Sequence, residues 1–170
     1  MNVVTLVDDS LINEEEKLKR YVREHNIAAE HLHFENTLHT VEDTVRVTGF
    51  DIDLITKSMI FRDDESRTVV GMVPARFRVS ASGLGRILNC APPVLISPSE
   101  AYERTSYPVG GMPCFGSDDA ILVIDPWVTR KQFVYTGGGS EFSLVKISTD
   151  EIVRITSPIM RGRIRGNKSN

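Results

Sequence analysis

The sequence has little cysteine and no long apolar run. Cys90 and Cys114 are its only cysteines, which excludes a disulfide framework and is typical of proteins of the reducing cytosol. No apolar run approaches the roughly 18 residues that a membrane-spanning helix needs. Residues 1–9 become acidic too early for a signal peptide. The sequence therefore predicts a cytoplasmic protein with no membrane partner.

A general excess of positive charge is also absent. The formal net charge is -3, so any contact with RNA has to use local clusters of basic residues. The candidate clusters are Arg76, Arg78 and Arg86, and near the end of the chain Arg161, Arg163, Arg165 and Lys168. Solvated surface charge explains each of these residues equally well when it is taken singly.

The length of the chain fits one domain, and neither an internal repeat nor a linker is visible. We predict a single domain over residues 1–158 that includes an N-terminal helix at about 10–26. Residues 161–170 contain no acidic side chain and little apolar content, so we predict a mobile basic tail over 159–170.

Capping patterns locate the helices. The predicted caps are Asp9-Ser10 or Asn13, then Thr40 with Gly49 as the stop, Ser80, Ser97 before Pro98, and Ser148. Apolar patterns predict strands at roughly 52–62, 67–73, 94–96, 120–125, 132–136 and 142–147, and the short strand at 94–96 is expected to be buried. The run at 120–125 is typical of a central strand covered on both faces. This order of elements indicates an α+β fold with a mixed, barrel-like sheet core and flanking helices.

Lys57 interrupts the apolar face of one predicted strand. Period-two alternation places it on the face of Ile55, Met59 and Phe61, with Ser58 on the opposite face. Such a violation of pattern often marks a functional site. An edge lysine that reaches water explains it too.

The stretch from Thr105 to Gly116 is rich in glycine and proline yet apolar. We predict a rigid loop packed on the core, in which Gly110 and Gly111 turn backbone N–H groups toward a ligand. With Lys57 facing this bend, the amides could stabilise a negative oxygen. A tight connection between packed strands is the alternative.

Other candidate groups are weaker. Residues 137–139 could form an anion-binding nest or a simple turn, and Asp125 either orients Lys57 or terminates a strand. Cys114 has no histidine in a matching motif, which disfavours cysteine catalysis. His31, His33 and His39 have no carboxylate or cysteine at a supporting spacing, so we predict neither a metal nor another cofactor.

Several of these motifs together resemble the aminoacyl-tRNA-editing domain family, which includes YbaK and the prolyl-tRNA-synthetase-associated deacylases. The segment from Thr40 to Phe61, which ends in I-T-K-S-M-I-F, resembles the helix-then-strand K-S-L-V-F signature of that family. Further matches are Ser97-Pro98 with Glu100, the loop at 105–116, the strand at 121–125 and the glycine turn at 136–139. The resemblance covers about residues 10–157.

This resemblance implies a free-standing enzyme that hydrolyses the ester of a tRNA mischarged with a small amino acid of the alanine, cysteine, serine or proline class. The family's important lysine falls on Lys57, and Gly110 and Gly111 are the other expected catalytic positions. The expected substrate-binding positions are Ser106, Tyr107, Met112, Pro113, Asp125, Gly137 and Gly138. Ser106 departs from the glycine that the family loop usually has. The implied partners are the acceptor end of mischarged tRNA and an aminoacyl-tRNA synthetase, and the alternative is a catalytically silent tRNA- or synthetase-binding module.

Overall fold

Ten strands and six α-helices make up the computed structural model, which describes residues 13–169. The strands are β1 (Ala29–His33), β2 (Thr56–Arg62), β3 (Thr68–Pro74), β4 (Phe77–Val79), β5 (Val94–Leu95), β6 (Ile121–Ile124), β7 (Phe133–Gly137), β8 (Ser143–Ser148), β9 (Ile159–Arg161) and β10 (Arg165–Lys168). The helices are α1 (Glu14–Glu24), α2 (Val41–Thr48), α3 (Ala81–Leu88), α4 (Pro98–Thr105), α5 (Pro126–Thr129) and α6 (Thr149–Ile155), with 3₁₀ turns at Ile52–Leu54 and Val109–Gly111.

The strands form three sheets. Their orders are β5-β2-β3-β6-β9, β1-β8-β7 and β10-β4. The neighbours β3–β6 and β6–β9 run parallel, whereas β2 is antiparallel to β3 and β5. This mixed sheet with flanking helices confirms the predicted α+β class. Among residues 13–169 the strands do not close into a barrel, and the barrel-like character stays a prediction.

The local capping signals are confirmed. Five side chains each accept a hydrogen bond from the amide three residues later, namely those of Asn13, Thr40, Ser80, Ser97 and Ser148. The alternative first cap at Asp9-Ser10 lies outside the described residues. Gly49 ends α2 with a φ of 70°, a left-handed conformation that glycine adopts without strain.

The five-stranded sheet is buried on both faces. Its front face, defined by Ile60, Met72 and Ile124, packs against Leu18 of α1, the glycine-rich loop and the second sheet. Its back face, defined by Phe61, Val73 and Val123, packs against α3 and Ile164. Because β6 lies between β3 and β9 and its Val123 and Ile124 are fully buried, the predicted central strand is confirmed.

Two predictions about the periphery are wrong. Val94 and Leu95 are 57% and 54% exposed, because β5 is an edge strand that, within residues 13–169, pairs only with the end of β2. The predicted mobile tail instead contains β9 and β10, and Ile164 between them is fully buried, with its amide donating to Asp125 Oδ2 at 2.9 Å. Within the described part of the chain, no helix is long and apolar enough to span a membrane.

Candidate active site

One edge of β2 is left open between the two larger sheets. At one end of this edge Phe61 and Arg62 pair with β5, and at the other Ile55 makes an isolated parallel bridge to Tyr135 of β7. No strand of the described chain pairs with the middle of β2 on this side. The gap therefore interrupts an otherwise covered sheet edge.

A small apolar cleft fills this gap on the front face. Its volume is about 190 Å³, and it is lined by Ser58, Met59, Ile60, Leu95, Ile96, Pro98, Ala101, Val109 and Met112. Ligand pockets for drug-sized molecules are typically about 300–1,000 Å³, so this cleft suits a smaller group. None of the lining side chains carries a charge, and a charged group would lose its hydration there without an ionic partner.

Ser58 supplies the polar groups of the cleft. Its Oγ is buried and has no hydrogen-bond partner among the described residues. Its backbone groups also point into the gap. The carbonyl of Ile55 accepts from the amide of Ala75 and so points toward β3, whereas the carbonyl of Ile60 accepts from the amide of Ile96 and points the other way. Because backbone groups alternate between the two edges of a strand, those of Ser58 point in the same direction as those of Ile60. Ser58 therefore presents both an amide and a hydroxyl donor to a bound group.

The glycine-rich loop packs directly on the late glycine turn. An added Cβ at Gly111 would lie 2.4 Å from the amide nitrogen of Ser140, and one at Gly137 would lie 2.2 Å from the carbonyl oxygen of Met112. The amide of Gly139 donates to the carbonyl of Gly111 at 2.8 Å. These glycines are therefore needed for close approach of two backbones.

The two predicted amide donors of the loop differ. Gly111 N–H donates to the carbonyl of Pro108 at 3.0 Å, so it is not available to a substrate. Gly110 is exposed, and its amide has no acceptor among the described residues. The predicted nest at residues 137–139 is not formed, because the amide of Gly138 donates to Ser143 O and that of Gly139 to Gly111 O. The alternative, a turn, is the observed structure.

Lys57 is not brought to the glycine-rich loop. It lies opposite Val73 on the back face, and its ammonium donates to Ser169 Oγ at 2.7 Å. Burial, and to a lesser degree the nearby Arg78, lower the pKa of Lys57. The predicted alternation is correct, yet the expectation that the ammonium faces the bend is wrong, since the loop lies on the face of Ser58.

Most of the other predicted substrate-binding residues lie outside the cleft, although Met112 lines it. Ser106 is exposed at the end of α4 with a φ of 65°. Tyr107 is 2% exposed, and burial raises its pKa to about 12. Pro113 is buried beside Cys114 in a separate cavity of about 30 Å³.

Asp125 has a structural role. It is fully buried, its Oδ1 accepts from the amide of Trp127 at 2.9 Å, and its Oδ2 accepts from the amides of Ile164 and Arg165. The carboxylate thus ends β6, caps α5 and holds the chain that enters β10. It does not contact Lys57, and strand termination is the correct alternative.

Cys114 is unsuited to be a nucleophile. Its side chain is 3% exposed, and burial raises the pKa of the thiol to about 12. The thiolate, which is the reactive form, is therefore scarce at neutral pH.

The histidines near the glycine turn support it. His31 Nε2 lies 2.8 Å from the carbonyl oxygen of Gly138, and His33 Nδ1 lies 3.0 Å from Glu15 Oε1. Burial raises the pKa of Glu15, but the hydrogen bonds from His33 and Ser140 outweigh it and leave that pKa below its ordinary value. These contacts connect α1, β1 and the turn.

One group of possible metal ligands occurs among the described residues. Potential ligand atoms of Asp63, Asp64 and Cys90 lie within 4.8 Å of one another. The Asp63 carboxylate, however, already accepts hydrogen bonds from the amides of Glu65 and Arg67 and from Arg67 Nε. This carboxylate therefore stabilises the turn between β2 and β3.

Sequence reasoning missed Ser58 as a candidate because it followed the lysine face of β2. The signal was a serine on the other face, between Lys57 and Met59, at a position where a fully buried strand would carry an apolar side chain. The other walls of the cleft come from β5, α4 and the 3₁₀ turn, and only the fold brings these segments together.

Comparisons with known proteins agree with this architecture. The aminoacyl-tRNA editing domain family matches residues 35–155. The uncharacterized protein YwhH of Bacillus subtilis (strain 168) is 25% identical over 70% of this chain and 76% of its own length. The crystal structure of hypothetical protein APE2540 has a TM-score of 0.81 at 24% identity and covers 89% of this chain and 100% of its own. That of a candidate trans-editing enzyme for prolyl tRNA synthetase has a TM-score of 0.82 at 16% identity, covering 92% and 99%.

Proposed function

The chain belongs to the aminoacyl-tRNA editing domain family, and on this premise we propose that it is a trans-acting deacylase. Its substrate is a tRNA mischarged with a small amino acid of the alanine, cysteine, serine or proline class. The partner is the acceptor end of that tRNA, with an aminoacyl-tRNA synthetase as a further partner and the cytosol as the location.

The observation that carries this proposal is the apolar cleft with Ser58 at its wall. Its volume of about 190 Å³ and its uncharged lining suit a short, uncharged amino-acid side chain. An apolar pocket separates side chains that differ by one methylene by only about 1–3 kcal/mol. Selection against large amino acids therefore comes mainly from steric exclusion.

The donors of Ser58 suit the oxyanion of ester hydrolysis. Attack of an oxygen on the ester carbonyl forms a tetrahedral intermediate with a negative oxygen, which the amide and hydroxyl of Ser58 stabilise. Gly110, which follows the cleft-lining Val109 and whose amide has no acceptor among the described residues, is a further candidate donor in this scheme. The intermediate then collapses by breaking the bond to the ribose oxygen, which takes a proton. Within the described residues the cleft contains no nucleophile paired with a base, so the attacking oxygen is that of water, whose proton passes to the departing ribose oxygen directly or through the neighbouring ribose hydroxyl.

Lys57 takes the role of a phosphate contact in this scheme. Its ammonium is on the back face, while the adjacent Ser58 lines the cleft on the front. The two residues are consecutive on β2, so in this scheme the nucleotide crosses the open edge of the strand, with the acyl group on the side of Ser58 and the terminal phosphate on the side of Lys57. A flexible ammonium suits a terminal phosphate.

A panel of mischarged tRNAs tests the proposal. Purified protein is incubated with tRNAs carrying labelled alanine, cysteine, serine or proline, with phenylalanyl-tRNA as a bulky control and heat-denatured protein as the blank. We expect release of at least one small amino acid well above the blank, and release of phenylalanine at the blank rate. Release of none of the small amino acids would overturn the enzyme proposal.

The second candidate function is a silent tRNA- or synthetase-binding module. It is favoured by one observation, namely that no side chain lining the cleft among the described residues is a general base. Tight binding of charged tRNA without any release in the same panel would support this alternative.

A further inference from the structure

A cluster of cations surrounds β4 and β10 on the back of the molecule. We call this surface the basic face and define it by the residues Lys57, Arg78, Trp127, Arg130, Arg163, Arg165 and Lys168. β10 pairs with β4, Lys57 lies near Arg78, and Arg165 lies near both Arg130 and Arg163. These positive charges are therefore close in space although they come from four segments of the chain.

Acidic partners are scarce on the basic face. Elsewhere the cations of Arg62, Arg67, Arg76, Arg104 and Arg154 are all ion-paired. On the basic face, Arg78, Arg130, Arg163 and Lys168 are exposed and form no ion pair with a described residue. The buried Asp125 lies 3.4 Å from Arg165 and is already shared with three backbone amides. A local positive surface thus exists on a chain whose formal net charge is -3.

Trp127 adds an aromatic surface to these charges. The guanidinium of Arg165 lies 3.6 Å from the centroid of its ring, and the edge of Phe77 packs at 5.5 Å. These contacts hold the ring in place, yet the residue remains 42% exposed. A fixed, exposed ring among cations is the arrangement with which proteins bind single-stranded nucleic acid, because bases stack on the ring while cations follow the phosphates.

The basic face continues to the cleft through β2. Lys57 belongs to the basic face, and its neighbour Ser58 lines the cleft. We propose that the basic face binds the single-stranded 3′ end of the tRNA, with phosphates on Arg78 and Lys168 and a base stacked on Trp127. This inference rests on the proposed function for the identity of the RNA, but its test does not require turnover.

The test is binding of uncharged tRNA, measured by fluorescence anisotropy at several salt concentrations. For Arg78→Glu with Lys168→Glu, we expect weaker binding and a slope of log Kd against log salt that is smaller by about 1.4, since each contact with a single strand contributes about 0.7. The matched control is Arg23→Glu with Lys146→Glu, which changes the net charge equally on other surfaces and should keep the wild-type slope.

Stacking is tested separately. Trp127→Ala should weaken binding about 5- to 150-fold, the loss expected for one stacked base. Trp127→Phe should restore part of it, and an RNA hairpin without the single-stranded 3′ end should bind wild type and Trp127→Ala equally. Urea unfolding of each variant identifies any effect that comes from loss of structure.

The outcomes separate the two proposals. Equal affinity and slope for wild type and Arg78→Glu/Lys168→Glu would overturn the inference, as would preference for phosphatidylserine vesicles over RNA. If tRNA binding depends on salt and on Trp127 as expected, but no amino acid is released in the panel of mischarged tRNAs, the deacylase would be rejected and the RNA surface kept. Release of the amino acid with wild-type KM in the Arg78→Glu/Lys168→Glu variant would reject the RNA surface and keep the deacylase.

Discussion

Lys57 and Ser58 are neighbours on β2, and the pleat of the strand directs their side chains to opposite faces of the sheet. The lysine reaches toward Ser169 on the back face, and the serine directs a buried, unpaired hydroxyl into the cleft. A buried hydroxyl without a partner lowers stability. A bound substrate that supplies the missing acceptor would remove this cost.

Removal of the Ser58 hydroxyl should separate activity from stability. Ser58→Ala removes one oxyanion donor, so we expect kcat for deacylation to fall about 10²-fold with little change in KM. The free energy of unfolding in urea should stay unchanged or rise, because an unpaired group is lost. Ser58→Thr keeps the hydroxyl and is the control. Full activity in Ser58→Ala would remove Ser58 from the catalytic scheme.

Ser106 occupies a position that favours glycine for backbone reasons. Its φ of 65° is left-handed, and this conformation costs a residue with a Cβ roughly 1–2 kcal/mol. Since Ser106 is outside the cleft, Ser106→Gly should raise the free energy of unfolding by about 1 kcal/mol and leave kcat/KM unchanged. A loss of activity in Ser106→Gly would instead show that its hydroxyl contacts the substrate.

At the level of elements, local signals were predictable and long-range ones were not. The helix caps depend on side chains and amides three residues apart, so sequence alone located them. β10 could not be predicted because Ile164 is the only large apolar residue of the sequence from 161 to 170, and the strand is held in place by Asp125, about forty residues earlier in the chain. The exposure of β5 likewise depends on its place at the edge of a sheet.

The contribution of the Asp125 carboxylate to stability can be measured, since it anchors the start of β10. Asp125→Ala leaves the amides of Trp127, Ile164 and Arg165 without their acceptor, and we expect the free energy of unfolding to fall by about 3 kcal/mol or more. Asp53→Ala is the matched control, since its 2.9 Å pair with Arg76 is exposed and should contribute about 0–1 kcal/mol. Equal losses in the two variants would contradict the anchoring role of Asp125.

The contact between the glycine loop and the glycine turn also has a matched pair of variants. At Gly137 a methyl group would collide with the carbonyl of Met112, whereas at Gly110 it would meet only Glu141 Cβ at 3.6 Å and His39 at 4.0 Å. We expect Gly137→Ala to lower the free energy of unfolding by about 3 kcal/mol and Gly110→Ala to change it little. The same urea titration checks both, and a tolerated Gly137→Ala would mean that the two backbones can separate.

On the scale of the whole molecule, the cleft exists because the two larger sheets meet at only part of β2. β5 covers one end of that edge and β7 touches the other, so a space remains between them. The sequence indicated both the glycine-rich loop and the strand with Lys57. It could not indicate on which face of the strand the loop packs, because this depends on where the second sheet lies.

The most direct measurement compares two exposed valines. Val109, which is 55% exposed, lines the cleft, whereas Val94, which is 57% exposed, does not. A tryptophan at Val109 should fill the cleft, and one at Val94 should remain in solvent. For the best substrate of the tRNA panel, we expect kcat/KM of Val109→Trp to fall at least about 10²-fold, or about 2.7 kcal/mol, and that of Val94→Trp to stay near wild type. Unchanged hydrolysis by Val109→Trp, in a protein that still folds, would contradict the assignment of the acyl group to this cleft.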